Sequence, residues 1–556
     1  MDKEQIPVDY FFHQIKTRQE EALSSAVFKI ENDDESCKRI YDIACNCGKL
    51  IKMYKFETNS MKYVLLEMEN GEQLSNLINH GKSPNGGGGK RGKFSILNSL
   101  GGHFGYFNDS IVYDCEKIIP TTATVMENYD YYYSNVNNND DNSKTNSIRK
   151  LLKECKTLDL DNQIRLLHDS YKLNDLGYRL RYMMWKQIQN LVNVLLPAHS
   201  VYPFGSAVNG LGDVTSDLDL VVLRDDSTSF RWHKNPGVDI NSVQNDLSLL
   251  TNVMSKISVG CTKVVFIKQA KVPIIKYKHS FTGIECDVSM HQTEALKMSQ
   301  ILFALSNFDP RIKPLIFFIK IWARELRLTR EQPGPTITNF SLILLTIFFL
   351  QQKGSSHTEI LPPFDLFPLR DTDANDDVTT MENTDEKLEF ILNNFKCHVT
   401  SSSSSSTSSP SPSAPNGKST VELLLLFYKF YSVFNFNSYG CCLNTGQIIR
   451  KNNFKNYGMY IKNPFCSIYN VSKNVSLSEV NKFQFYCQIA ATLLEESETI
   501  SRNSTTRTAV VDESKFLLNF LNYNSYANEL MAKKRSNNNN NNINSNVKFA
   551  DLKSIF

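Results

Sequence analysis

The chain has 556 residues, long enough for two to four domains. Its 61 Lys and Arg stand against 58 Asp and Glu, a formal net charge of +3, so no global basic field marks a nucleic-acid binder and any such contact needs a local patch. The 12 cysteines lack the paired C-x2-C spacing of zinc sites and read as reduced thiols, and the longest apolar stretch, Phe340 to Leu350, is too short to span a bilayer.

The chain opens Met1-Asp2-Lys3-Glu4-Gln5, with early acids and no Arg-rich amphipathic stretch, so no targeting peptide is visible. A first module is expected over residues 23–119. Ala26 to Ile30 reads as a strand, Glu35 to Cys47 as a helix, Ile51 to Glu57 and Lys62 to Glu69 as strands, and Glu72 to Asn79 as a helix. That order predicts an RNA-recognition-motif-like (RRM-like) sandwich. A working RNA face needs aromatics on the central strands, and the third strand offers only Tyr63, so a module for protein contacts is an equal reading. Low-complexity tracts at Ser83 to Lys93, Ser134 to Ser147, Ser401 to Lys418 and Ser536 to Asn546 bury too little apolar surface to offset their ordering entropy. The acidic run Arg370 to Glu386 behaves likewise. They divide the chain into a linker at 120–147, an insert at 398–418 and a tail at 531–556.

Ile148 to Leu196 is helical in pattern and leads into a sheet expected from Val201 to about Met290, the two together forming a domain at 148–295. Here lies the most informative constellation: Phe204-Gly205-Ser206, then Asp217-Leu218-Asp219, then Asp287 between Cys286 and Val288. Residues two apart on a strand share a face, so Asp217 and Asp219 project together while Leu218, Leu220, Val221 and Val222 anchor the strand. Carboxylates converging from two adjacent strands can hold a pair of hard divalent cations, which suits an in-line phosphoryl or nucleotidyl displacement. Gly205-Ser206 is expected to open a helix whose free N–H groups receive a nucleotide's phosphates. With apolar residues flanking each acid, the combination resembles the signature of polymerase-β-like nucleotidyltransferases.

From Thr293 the pattern returns to helices, predicting a helical domain at 296–530. Leu315, Phe318, Ile319, Trp322 and Leu326 form one stripe, and Phe340 to Leu350 and Leu423 to Phe434 read as buried helices. Lys320, Arg324 and Arg327 follow i, i+4, i+7 spacing on a face away from that stripe, a grip for a triphosphate beside a two-metal palm. The fold class is therefore α+β: a nucleotidyltransferase palm, a helical central domain and an amino-terminal RRM-like α/β module.

The next segments extend the resemblance. Pro333-Gly334-Pro335-Thr336-Ile337-Thr338-Asn339-Phe340-Ser341-Leu342 and, later, Tyr460-Ile461-Lys462-Asn463-Pro464-Phe465 leading to Asn470-Val471-Ser472-Lys473-Asn474-Val475 look like nucleotide-recognition segments of noncanonical poly(A) polymerases and terminal uridylyltransferases. The pattern is most similar to the mitochondrial poly(A) polymerases, from about Arg18 to Glu496, with a poly(A)-polymerase-associated region at about 421–476. The resemblance implies that Asp217, Asp219 and Asp287 bind Mg2+ or Mn2+, that Gly205 and Ser206 contact the nucleotide phosphates, and that Lys320 and Arg324 hold the β- and γ-phosphates. It implies Asn339 beside the ribose or phosphates and Phe340 stacked on the base, although an aromatic in so apolar a helix is usually core. Where relatives place an Asn-Thr pair against the nucleotide, this chain has Met298-Ser299, leaving only Ser299 to hydrogen-bond. Uridylyltransferases carry a histidine just before the position of Asn470, and Tyr469 stands there, which favours ATP.

The expected activity is template-independent addition of AMP from ATP to RNA 3′ ends. The alternatives are the same chemistry with UTP and an inactive RNA- or protein-binding scaffold. The resemblance further implies a homodimer and a mitochondrial location, with a cytoplasmic one as the alternative.

Overall fold

The protein is described by a computed structural model covering residues 11–30, 33–58, 61–80, 91–92, 96–98, 107–108, 158–225, 240–330, 334–353, 359–367, 417–451, 457–466 and 469–503. Almost all of the low-complexity tracts, the acidic run, the 120–147 linker and the tail lie outside these residues.

The amino-terminal sheet has the strand order Leu50–Thr58, Met61–Met68, Ser25–Ile30, Ile96–Asn98, all antiparallel. Alternation along the strands divides the apolar side chains between two faces. Ala26, Phe28, Val64, Leu66 and Met68 pack on the helices Asp33–Cys47 and Gly71–His80. Val27, Phe56, Tyr63 and Leu65 turn the other way, into a core shared with the palm. Tyr63, the aromatic that could have stacked on a base, is 4% exposed; it stacks on Phe56 and meets Phe281 of the palm edge-on. Burial thus favours the protein-contact reading of this module. An additional helix, Phe11–Leu23, packs into the core shared with the palm, Phe11 meeting Phe303, and was not anticipated, because its apolar stripe is only Phe11, Ile15 and Ala22 in a polar stretch.

The module is also tied to the palm by charge. Arg179, on the helix Asp175–Leu195, donates from Nε to Glu67 at 2.8 Å and pairs through its terminal nitrogens with Glu67, Glu21 and Asp175. Asp175 in turn receives Arg18, Lys52 and the Tyr54 hydroxyl. Burial works against the Asp175 carboxylate, yet these cations hold it far below its ordinary range.

The palm is a five-stranded sheet in the order His199–Phe204, Leu218–Arg224, Glu285–Met290, Ile274–His279, Cys261–Ile267. Leu218–Arg224 and Glu285–Met290 run parallel; the other neighbours are antiparallel. Leu220, Val222, Cys286 and Val288 face the helices Asp175–Leu195 and Ile240–Ile257. The opposite face carries the acids. The helical domain packs Thr293–Phe308, Ile312–Glu325, Asn339–Leu350, Thr420–Val433 and Leu477–Asn503 around one apolar core, with the expected Leu315 to Leu326 stripe inside it. Among the described residues no helix is long and apolar enough to cross a membrane.

Removing Arg179 would strand Glu67 as a buried, uncompensated carboxylate. Arg179→Ala should therefore cost about 3–5 kcal/mol in denaturant unfolding. A loss within ~0.5 kcal/mol, the usual surface effect, would show that the charged joint does not secure the module.

Candidate active site

Register places the key residues in one row across the sheet. Phe204 pairs with Asp219, Asp219 with Asp287, Asp287 with Lys276, and Lys276 with Val265. A second row, displaced by two residues and hence on the same face, begins at Asp217, just before its strand, and includes the Glu285–Lys278 pair. The three anticipated acids are therefore together, joined by Glu285 and two lysines that sequence reasoning left without a role. Their signal was present: Lys276 and Lys278 flank buried Tyr277 in period-two alternation.

Crowding shows in the acidities. Burial, then the charges of Asp287 and Asp217, push Asp219 up to about 7. Burial, then Glu285 and Asp287, push Asp217 up to about 6, although its side chain still reaches solvent. The Lys276 ammonium meets both Asp287 oxygens, at 2.7 and 2.6 Å. Among the described residues no three His, Cys, Asp or Glu side chains form a ready-made cation cage. The donor set nevertheless fits a hard divalent ion: carboxylate oxygens held close against their own repulsion, with an ammonium already on one of them.

The Gly-Ser turn departs from expectation. Gly205–Ala207 is a single 3-10 turn, not the start of a helix, and the Gly205 N–H is already donated to Ser299 Oγ at 2.8 Å. Ser299 also donates to the Ala295 carbonyl, so its hydroxyl braces the turn; it is 2% exposed. Gly205 sits at φ +69°, and a Cβ there would lie 2.5 Å from Asp219 Oδ2. Only glycine allows this backbone to pass so close to the carboxylate. Ser206 follows in the same turn, partly exposed.

The loop from Leu211 to Asp217 is held from within. Buried Arg181 donates to the Val214 and Ser216 carbonyls. Lys320 Nζ donates to the Leu211 carbonyl at 3.1 Å and pairs with Asp213 at 3.4 Å. Burial opposes the Asp213 charge, but Lys320, the Thr215 hydroxyl and Arg324 bring its carboxyl down to about 2. Lys320 and Arg324 thus lie on one face of Ile312–Glu325 beside the site. Arg327 does not: the helix ends at Glu325, and Arg327 takes φ +54°, so the i+7 extension fails.

Asn339 and Phe340 open the helix Asn339–Leu350 behind a Thr338 cap. Both are exposed, Phe340 at 38%, while Ser341 to Leu350 are buried. Phe340 is thus not a core residue. Tyr469 is also exposed, and Lys271, from the turn between Cys261–Ile267 and Ile274–His279, lies 3.0 Å from the centre of its ring. Asn470 is occupied internally: its Oδ1 accepts from the N–H groups of Ile461 and Ser472, and its Nδ2 donates to the Met459 carbonyl.

The chain is similar to known proteins in sequence and fold. Residues 160–307 match the central palm domain of the "Poly(A) RNA polymerase, mitochondrial-like" family. Over 502 residues the chain is 29% identical to the mitochondrial poly(A) RNA polymerase of Drosophila melanogaster, covering 86% of this chain and 75% of that one. It is 28% identical to the Homo sapiens enzyme of that name over 62% of this chain, spanning 57% of the human protein. The crystal structure of mtPAP in complex with ATPγS superposes with a TM-score of 0.62 at 22% identity, covering 91% of this chain and 99% of that one. Residues 160–307 thus match the central palm domain of that family, the chain at large is similar to mitochondrial poly(A) RNA polymerases, and its fold is that of mtPAP.

Proposed function

We propose that the protein is a template-independent RNA 3′-adenylyltransferase. The row of Asp219 and Asp287 with Asp217 beside it carries this reading, with Lys320 and Arg324 close to Asp213 in the loop that leads to Asp217. The RNA 3′-hydroxyl oxygen attacks the α-phosphorus of ATP, a new phosphodiester forms, the α–β bond breaks and pyrophosphate leaves. Mg2+ or Mn2+ bound by Asp217, Asp219 and Asp287 would supply the positive charge that eases loss of the hydroxyl proton and stabilises the attacking and leaving oxygens. Lys320 and Arg324 orient the β- and γ-phosphates and take up charge as pyrophosphate departs, Lys320 being aimed by Asp213 and the Leu211 carbonyl. Exposed Phe340 stacks on the base, Asn339 reaches the ribose or phosphates, and Tyr469 borders the base. The Gly205–Ser206 turn leaves room for phosphate beside Asp219, with Ser299 acting through Gly205. Work in the mitochondrion follows from what the relatives' names say of them. A homodimer belongs to the same proposal, with the sheet edge at Leu50–Thr58 as its support.

Purified protein, a short RNA, a divalent cation and each nucleotide triphosphate separately test the reading. ATP should be used best, and Asp217→Ala, Asp219→Ala or Asp287→Ala should each abolish extension with the fold retained. Lys320→Ala and Arg324→Ala should raise KM for ATP by about 10- to 100-fold, the worth of one charge-assisted phosphate bond, with RNA affinity nearly unchanged. Better extension with UTP would move the assignment to uridylyl transfer, and none with any nucleotide would overturn it.

Tyr469→His should shift selectivity toward UTP, read as the ratio of kcat/KM for the two nucleotides. An unchanged ratio would remove Tyr469 from base selection.

A further inference from the structure

The reading above leaves Lys276 and Lys278 without work. Lys276 occupies both oxygens of Asp287, at 2.7 and 2.6 Å, and those are the atoms a divalent cation needs. A cation arriving at Asp287 must displace the ammonium. The displaced head cannot go far, because Lys276 is fixed in the strand Ile274–His279, between Asp287 on one side and Val265, 54% exposed, on the other. It is then a partly exposed cation at the edge of the row where the RNA 3′-hydroxyl must lie. Lys278 stands two residues along on the same face, about 6.7 Å away at strand rise, a span close to that between successive phosphates of an extended nucleotide strand.

We propose that Lys276 is an exchangeable counter-ion that couples cation loading at Asp287 to capture of the RNA 3′ end, with Lys278 as an adjoining phosphate contact. This rests on the adenylyltransferase reading. Before loading, Lys276 holds Asp287; after loading, it is released to the phosphodiester next to the terminal nucleotide. Cation and RNA therefore strengthen each other's binding, and reciprocally so. The sign is diagnostic. Divalent ions ordinarily compete with protein cations for phosphates and weaken RNA binding; here they strengthen it.

The test is fluorescence anisotropy with a 5′-labelled oligoadenylate and no nucleotide, in chelator and then with Mn2+. In the full-length protein Mn2+ should raise RNA affinity about three- to tenfold, in the range of one partly exposed charge-assisted bond. Lys276→Met should reverse the sign, so that Mn2+ weakens binding, and Lys276→Arg should keep part of the enhancement. Lys278→Met should lower affinity with and without Mn2+, leaving the ratio intact. Asp287→Asn gives an independent arm that does not depend on the folding of Lys276→Met: it frees Lys276 permanently, so affinity in chelator should rise to the Mn2+-loaded wild-type level. No enhancement in the wild type, the same enhancement in Lys276→Met, or no rise in Asp287→Asn each overturns the coupling. Extension measured in parallel separates the two claims: an active enzyme without coupling sinks this inference alone, and an inactive protein sinks the function.

Discussion

Carboxylates held together against their own repulsion are the constraint around which the palm is organised. Asp219 and Asp287 are register partners on parallel strands, and Asp217 and Glu285 crowd the same corner. Burial first, and then the neighbouring carboxylates, raise Asp219 to about 7 and Asp217 to about 6, a cost the fold bears until positive charge arrives. Burial of the opposite sheet face, through Leu220, Val222, Cys286 and Val288 against two helices, prevents the strands from sliding apart to relieve it.

The surroundings follow from that corner. Gly205 is glycine because Asp219 lies where its side chain would be. Ser299 fastens the turn, and Arg181 holds the loop that delivers Asp217. Asp213 and the Leu211 carbonyl fix the Lys320 ammonium against the loop that leads to Asp217. The amino-terminal module, its Tyr63 face turned inward and Arg179 locking it down, buttresses the palm.

Period-two alternation was strong enough to read the two acid-bearing palm strands and the acid face from the residues, because one buried face specifies register. The strands and helices of the amino-terminal module were equally clear, whereas its docking was not: Tyr63 looks the same in sequence whether its face meets RNA or the palm. Lys276 was given no role, since its place opposite Asp287 depends on strand order, a long-range property. Ser299 read as a nucleotide contact because its commitment to Gly205 spans 94 residues. Arg327 shared helical spacing with Lys320, but the helix stops two residues short of it.

Thermal unfolding of Asp219→Asn beside the wild type, in chelator and with Mn2+, tests the central claim most directly. A carboxyl raised from its ordinary 3.8 to about 7 in the folded state contributes stability below its ordinary value and loses it as pH rises through about 7. In chelator the wild type should therefore melt below Asp219→Asn, by a margin that grows from about pH 6 to about pH 8. Mn2+ should lift the wild type and leave the variant nearly unchanged. A wild type that melts above the variant in chelator at both pH values would contradict the view of this corner as a strained, cation-seeking site.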